Sequence, residues 1–161
     1  MKESATPPVS LREISAETVR AVCALAVRAD QQHFVAPNAV SLAQALFSAQ
    51  AWYRAVYAGD ELAGFVMLYD ATLGPASPEP PVIEVWRFMV DQRFQGQGVG
   101  REAMLRLIEH VRAKGVVDKL ELSYVPGPGC PEPFYRSMGF VPTGRVDGAE
   151  VVMALALTRA C

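Results

Sequence analysis

The chain has 161 residues, of which 51% are hydrophobic and 20% are charged. This length suits one domain, and the apolar share excludes a disordered chain, which has too little surface to bury. A net charge of -2 lacks the basic excess that non-specific nucleic-acid binding requires. We find no apolar run of the roughly 18 residues that a membrane helix needs and no signal segment. We therefore expect a cytoplasmic protein with no nucleic-acid or membrane partner.

The cysteines and histidines are few and scattered. Cys23, Cys130 and Cys161 are odd in number and contain no Cys-x-x-Cys pair, which argues against a disulfide framework or a zinc site. The chain has two histidines, so no metal site is predicted. Cys23 lies among apolar residues that are spaced as on one face of a helix, so we expect its side chain to lie in the core.

The first third of the chain predicts a polar end, a short strand and two helices. Residues 1–8 are polar and include two prolines, so we assign them as a flexible N-terminus. The domain is expected to span 9–161. It begins with a strand near 9–13 and continues with a helix capped by Ser15 and a second helix from Ser41.

The rest of the chain alternates strands and helices. Runs 52–58 and 61–69 are rich in aromatic and β-branched residues and flank Gly59-Asp60, which predicts a hairpin. Further elements are a strand over 82–91, a helix ending at Gly115, a strand over 119–125, a short helix over 132–138 and a hairpin around Asp147-Gly148. This order predicts a single α/β domain with a mixed central sheet and helices on both faces.

A glycine-rich turn between strand 82–91 and the next helix is the main functional signal. Glycines 96, 98 and 100 let an anion approach the amides at the positive end of that helix. Arg101 stands where a dinucleotide-binding turn needs a third glycine, and no Walker ending follows. The turn therefore predicts an anionic ligand, with a plain strand-to-helix connection as the alternative.

The pattern Gln-x-x-Gly-x-Gly at Gln95, Gly98 and Gly100 resembles the pyrophosphate-binding signature of the GNAT superfamily of N-acetyltransferases. The stretch 134–140, Phe-Tyr-Arg-Ser-Met-Gly-Phe, resembles a late element of that family, and 88–91 resembles the strand that leads into the turn. The resemblance implies a GNAT-like fold with two splayed parallel strands. It also implies acetyl-coenzyme A as co-substrate and direct acetyl transfer to a primary amine.

The resemblance also implies where the co-substrate binds. The backbone of Met89 and Val90, where the strands splay, is expected to hydrogen-bond the pantetheine arm and polarise the thioester. The pyrophosphate is expected on the turn itself, formed by Gln95, Gly96, Gln97, Gly98, Val99, Gly100 and Arg101.

The same resemblance implies two catalytic side chains. Glu84 lies where some members carry a general base, which an amine that is protonated at neutral pH requires. Tyr135 matches the tyrosine that protonates the departing thiolate. The alternatives are an ordinary strand carboxylate for Glu84 and a packing tyrosine for Tyr135.

One segment departs from the family pattern. Loop 126–133 is rich in proline and glycine and lacks an asparagine that many relatives use to contact the cofactor. Cys130 lies in this loop, close to the expected thioester, although transfer in the family is usually direct. His33 could be a base on a substrate loop, with a packing or surface role as the alternative.

The acceptor is the least determined part of the prediction. Residues 31–37 and 59–68 resemble the bacterial spermine and spermidine acetyltransferase branch, and a polycation would seek carboxylates such as Asp30, Glu61, Asp70 or Glu84. Acceptors that remain open are aminoglycosides, amino acids and protein N-termini. A cofactor-binding sensor without turnover also remains open, and a second copy, as a homodimer, stays open as a partner.

Overall fold

The structure, a computed structural model, describes residues 5–157. Seven strands form one sheet: β1 (Val9–Arg12), β2 (Ala51–Ala58), β3 (Glu61–Asp70), β4 (Ile83–Val90), β5 (Lys119–Tyr124), β6 (Val141–Asp147) and β7 (Glu150–Ala156). The strand order is β1-β2-β3-β4-β5-β7-β6. β4 and β5 run parallel, and the other neighbouring pairs are antiparallel. The predicted mixed sheet is confirmed.

Helices cover both faces of the sheet, as predicted. They are α1 (Val19–Ala24), α2 (Asn38–Ala45), α3 (Val99–Lys114) and α4 (Glu132–Ser137). Side chains of β3 alternate between the two faces because successive residues of a strand point in opposite directions. Phe65 and Met67 pack in the cluster that includes Val22 of α1. Val66 and Leu68 pack in the cluster that includes Met104 and Leu107 of α3.

α3 is the helix that carries the glycine turn. It begins after Gly98, whose φ of 84° is left-handed, and ends at Gly115, whose φ is 65°. Its apolar side chains recur at helical spacing and are fully or almost fully buried. Because glycine has no Cβ, it adopts these φ values without steric cost. The two glycines therefore fix the ends of this helix where the sequence places them.

Two predictions about the helices on the other face are wrong. α2 begins at Asn38 rather than Ser41, because the Pro37 carbonyl accepts from the amides of residues 40 and 41. The Asn38 side chain is buried and donates to the Val22 carbonyl at 2.9 Å. Cys23 is exposed rather than in the core, since Val22 and Leu25 form the buried side of α1 and the next turn.

Parts of the predicted boundaries lie outside the described residues. These parts are residues 1–4 of the expected flexible end and residues 158–161 of the expected domain, which include Cys161. Within residues 5–157, no helix has the length and apolar character needed to cross a membrane.

Candidate active site

The sheet opens between its two parallel strands. β4 and β5 are in register at two positions, where Glu84 faces Glu121 and Val85 faces Leu122. β4 then continues to Val90 with β3 as its partner, after a register shift opposite Met67 and Leu68. Within residues 5–157, one edge of β4 therefore has no neighbouring strand from residue 86 onward, and the backbone groups on that edge face the gap.

This gap is part of a cleft of about 1150 Å³. Loop 31–37 forms one side of the cleft, and residues 129–135 form another. The glycine turn closes one end and the β6–β7 hairpin reaches the other. The site residues predicted from the sequence that line the cleft are Glu84, Met89, Val90, Gln95, Gly96, Gly98, Gly100, Arg101 and Tyr135.

Backbone amides at the glycine turn suit an anion. The first amides of α3, from Val99 onward, have no intrahelical carbonyl partner and lie at the positive end of a helix of 16 residues. Gly96 is also left-handed, with φ of 76°, and a Cβ there would meet no atom within 4 Å. Gln97 and Val99, which were also predicted as binding residues, are not among the residues that line the cleft.

Gln95 fixes the turn against the neighbouring strand. Its Nε2 atom donates to the Val90 carbonyl and to Gln31 Oε1, both at 2.9 Å. The side chain therefore ties the glycine turn to the end of β4 and to loop 31–37. In this structure Gln95 acts through positioning of these elements.

Gly64 of β3 shapes the same end of β4. A Cβ at this position would lie 2.5 Å from the Met89 carbonyl oxygen and 3.4 Å from the Val90 Cα. Only glycine permits that approach of the two backbones. Gly64 was not predicted as a site residue, although a glycine inside an apolar strand indicates a close approach of backbone.

Tyr135 lies on α4, where its ring is buried among aromatic neighbours. Its centroid is 5.7 Å from that of Phe134, 6.1 Å from that of Phe140 and 6.5 Å from that of Tyr124. Burial raises the pKa of Tyr135 to about 12. The phenol is therefore protonated at neutral pH, and Tyr135 is among the residues that line the cleft.

Glu84 lies near the point where the strands separate, with Tyr69 and Glu121 as its cross-strand neighbours. Partial burial in the cleft raises the Glu84 pKa, and the charges of Glu121 and Asp147 raise it further. Arg145 opposes this shift. A carboxylate with a raised pKa accepts a proton more readily, which is the property that a general base needs.

The structure adds cleft residues that the sequence analysis did not identify. Asp147 and Glu150 flank the β6–β7 turn, and Ser123 Oγ lies 2.9 Å from Glu150 Oε2. Tyr69 and Trp86 form a T-shaped pair with centroids 6.2 Å apart, and both line the cleft. Alternate residues of a strand lie on the same face, so Trp86 shares a face of β4 with Glu84. This spacing could have identified Trp86 as a cleft residue from the sequence.

Three proposed acceptor carboxylates lie elsewhere. Asp30 is paired with Arg28 at 3.7 Å and lies outside the cleft. Glu61 begins β3 on a different surface. Asp70 is fully buried and bonds to Lys114 Nζ at 2.5 Å, because the end of β3 packs beside α3. These three assignments to the acceptor cleft are wrong.

His33 and Cys130 both line the cleft. His33 is exposed, with its ring centroid 3.9 Å from that of Phe34. Within residues 5–157, no group of three or more His, Cys, Asp or Glu side chains is arranged to hold a metal ion.

The family of the chain is established by comparison with known proteins. The model of the acetyltransferase (GNAT) family matches residues 17–140, a span that includes the opened strand, the glycine turn and Tyr135. The chain belongs to this family. It is an N-acetyltransferase with acetyl-coenzyme A as its co-substrate. No curated protein matches the chain significantly in sequence.

Solved structures share the fold at low sequence identity. The chain is similar to ribosomal-protein-S18-alanine N-acetyltransferase from Escherichia coli, with 16% identity, a TM-score of 0.66 and coverage of 95% of this chain and 96% of that one. The chain is also similar to aminoglycoside acetyltransferase AAC(6')-Ib in complex with coenzyme A, with 18% identity, a TM-score of 0.72 and coverage of 92% of this chain and 94% of that one. Its similarity to the PaiA N-acetyltransferase of Thermoplasma acidophilum in complex with coenzyme A has 14% identity, a TM-score of 0.66 and coverage of 92% of this chain and 98% of that one.

Proposed function

We propose that this enzyme, through the domain at 9–161, acetylates a primary amine of a small molecule with several positive charges, a polyamine such as spermidine. The observation that carries the proposal is the composition of the acceptor side of the cleft. Three carboxylates, on Glu84, Asp147 and Glu150, lie there with the aromatic rings of Tyr69 and Trp86.

This composition suits an alkyl polyammonium ion in two ways. Carboxylates attract the ammonium groups, and aromatic faces pack against methylene segments and attract cations directly. The basic groups near these carboxylates are Arg87, whose guanidinium is held by the Trp86 carbonyl and Gln44 Oε1, and Arg145, which is paired with Glu121. The three carboxylates that line the cleft, Glu84, Asp147 and Glu150, therefore face one arginine of the cleft lining, Arg87.

The residues present fit acetyl-coenzyme A on the other side of the cleft. The amides at the start of α3 would hold the pyrophosphate, and the edge of β4 near Met89 and Val90 that β5 does not reach would hold the pantetheine arm. The neighbouring solved structures with coenzyme A support the choice of ligand. Bound there, acetyl-coenzyme A supplies an activated acetyl group on sulfur.

Two side chains then transfer protons, one as an acceptor and the other as a donor. Glu84, directly or through water, accepts the proton that the attacking ammonium must lose before its nitrogen has a lone pair. The nitrogen then attacks the thioester carbon, and the carbon–nitrogen bond forms as the carbon–sulfur bond breaks. The Tyr135 hydroxyl donates a proton to the departing sulfur, and the nitrogen loses its second proton, which returns to Tyr135 through solvent. Glu84 releases the first proton to solvent, so the reaction consumes the acetyl donor and the ammonium and yields the amide, the thiol and one proton.

The direct test is a mass-spectrometric screen of the full chain with acetyl-coenzyme A and a panel of amines. The panel contains spermidine, an aminoglycoside, neutral amino acids and a peptide with a free N-terminus. We expect acetylated spermidine to dominate. Clear acetylation of another panel member without acetylated spermidine would refute the polyamine proposal.

Coenzyme A binding with no acetylated product from any amine would instead favour the sensor alternative. Glu84→Gln and Tyr135→Phe variants, run beside the parent, identify any uncatalysed background. A product formed at the parental rate by both variants would show that the site described above is not responsible.

A further inference from the structure

The N-terminal segment crosses the outer side of the glycine turn. Thr6 Oγ1 donates to the Gln97 carbonyl at 3.0 Å, a contact between residues 91 positions apart. A Cβ on Gly98 would lie 2.8 Å from the same hydroxyl oxygen. Gly98 lines the cleft, whereas Thr6 does not, so the hydroxyl contacts the turn from behind.

The segment that carries Thr6 is anchored to the sheet. The Pro8 carbonyl accepts from the Gly59 amide at 2.8 Å, and β1 begins at Val9, in register with Ala58. Pro7 and Pro8 restrict the intervening backbone because their rings fix φ. Thr6 is therefore presented to the turn by a short, stiff connection.

We infer that Thr6 is a positioning residue for co-substrate binding, acting through the peptide between Gln97 and Gly98. In a planar trans peptide the carbonyl and the next N–H point in opposite directions. A hydrogen bond that holds the Gln97 carbonyl toward Thr6 therefore directs the Gly98 N–H away from Thr6. It also polarises that peptide, which strengthens its N–H as a donor to an anion.

This inference rests on the proposed pyrophosphate site, and calorimetry on the full chain tests it. We expect Thr6→Val to weaken coenzyme A binding about 2- to 10-fold, the range for one hydrogen bond. Thr6→Ser should restore binding. Affinity for pantetheine, which lacks the pyrophosphate, should be unchanged in both variants.

Two further variants separate the possible failures. Thr18→Val removes a hydroxyl that accepts from the Ser15 amide at 2.9 Å on another part of the fold, and it should leave coenzyme A affinity unchanged. If Gly98→Asp abolishes binding while Thr6→Val has no effect, Thr6 does not position the turn. Equal losses for coenzyme A and pantetheine in Thr6→Val would indicate a general structural role. If Gly98→Asp also binds normally, the proposed pyrophosphate site is itself wrong.

Discussion

The two sides of the cleft are built in different ways. The proposed co-substrate side consists of the turn at 95–101, which offers backbone amides, and of the edge of β4 that β5 does not reach. The proposed acceptor side is assembled from side chains on β3, β4 and the β6–β7 hairpin, which are far apart in sequence. A backbone site depends on a few glycines, whereas a side-chain site spreads recognition over many residues. Single substitutions should therefore act strongly on the first and weakly on the second.

The largest effect is expected at Tyr135, where the two sides meet. Tyr135→Phe removes the proton donor and keeps the buried ring, so kcat should fall about 10²- to 10⁴-fold, the usual range for general acid catalysis. The dissociation constant for acetyl-coenzyme A should change little. Tyr124→Phe is the matched control, since Tyr124 also lines the cleft, and it should keep most of the activity. A Tyr135→Phe enzyme within twofold of the parent would make Tyr135 a packing residue.

Glu84 should determine the acid side of the pH profile. Its pKa is raised above the ordinary value of a glutamate, and the base acts when ionised, so kcat/KM should fall as the pH drops through that raised pKa. Glu84→Gln should lower kcat/KM about 10²-fold near neutral pH and remove this limb, because an amide accepts no proton. Glu150→Gln should keep the limb. An unchanged profile in Glu84→Gln would assign the base to solvent or to another group.

Gly98 tests the backbone side alone. Gly98→Asp should weaken coenzyme A binding about 30-fold or more, because a negative charge at the helix start opposes an anion by about 2 kcal/mol. Gly98→Ala is the matched control, since it places the same Cβ 2.8 Å from Thr6 Oγ1 at the same φ of 84° and adds no charge. Calorimetry should show a much larger loss in the first variant than in the second. Equal affinities in the two folded variants would contradict the anion site.

The acceptor side should respond in small, additive steps. Asp147→Asn and Glu150→Gln should each raise the KM for spermidine about 2- to 5-fold at low salt, since exposed ion pairs contribute ~0.2–1 kcal/mol. Added salt should shrink the difference because it screens exposed charges. Asp60→Asn makes the same charge change on an exposed turn outside the cleft and should have no effect. A loss as large as that of Gly98→Asp would contradict distributed recognition.

The same contrast, between local backbone geometry and contacts of distant side chains, explains which features of the structure could be predicted from the sequence. The limits of α3 were predictable because Gly98 and Gly115 have φ values that favour glycine. The start of α2 was not, because the Asn38 side chain satisfies a carbonyl of α1, 16 residues away. Asp70 was misplaced for the same reason, since its partner Lys114 is 44 residues further along the chain.

By itself, the sequence determined the family, the alternation of strands and helices, and the glycine-rich turn between β4 and α3. These features depend on hydrophobic period and on local backbone preferences, which neighbouring residues fix. Only the tertiary structure decided that Asp147 and Glu150 line the same cleft as Glu84. It also decided that the Met89 carbonyl lies close to Gly64 and that Thr6 contacts Gln97. Such contacts depend on strand order and register, which place distant residues side by side and leave no periodic mark in the chain.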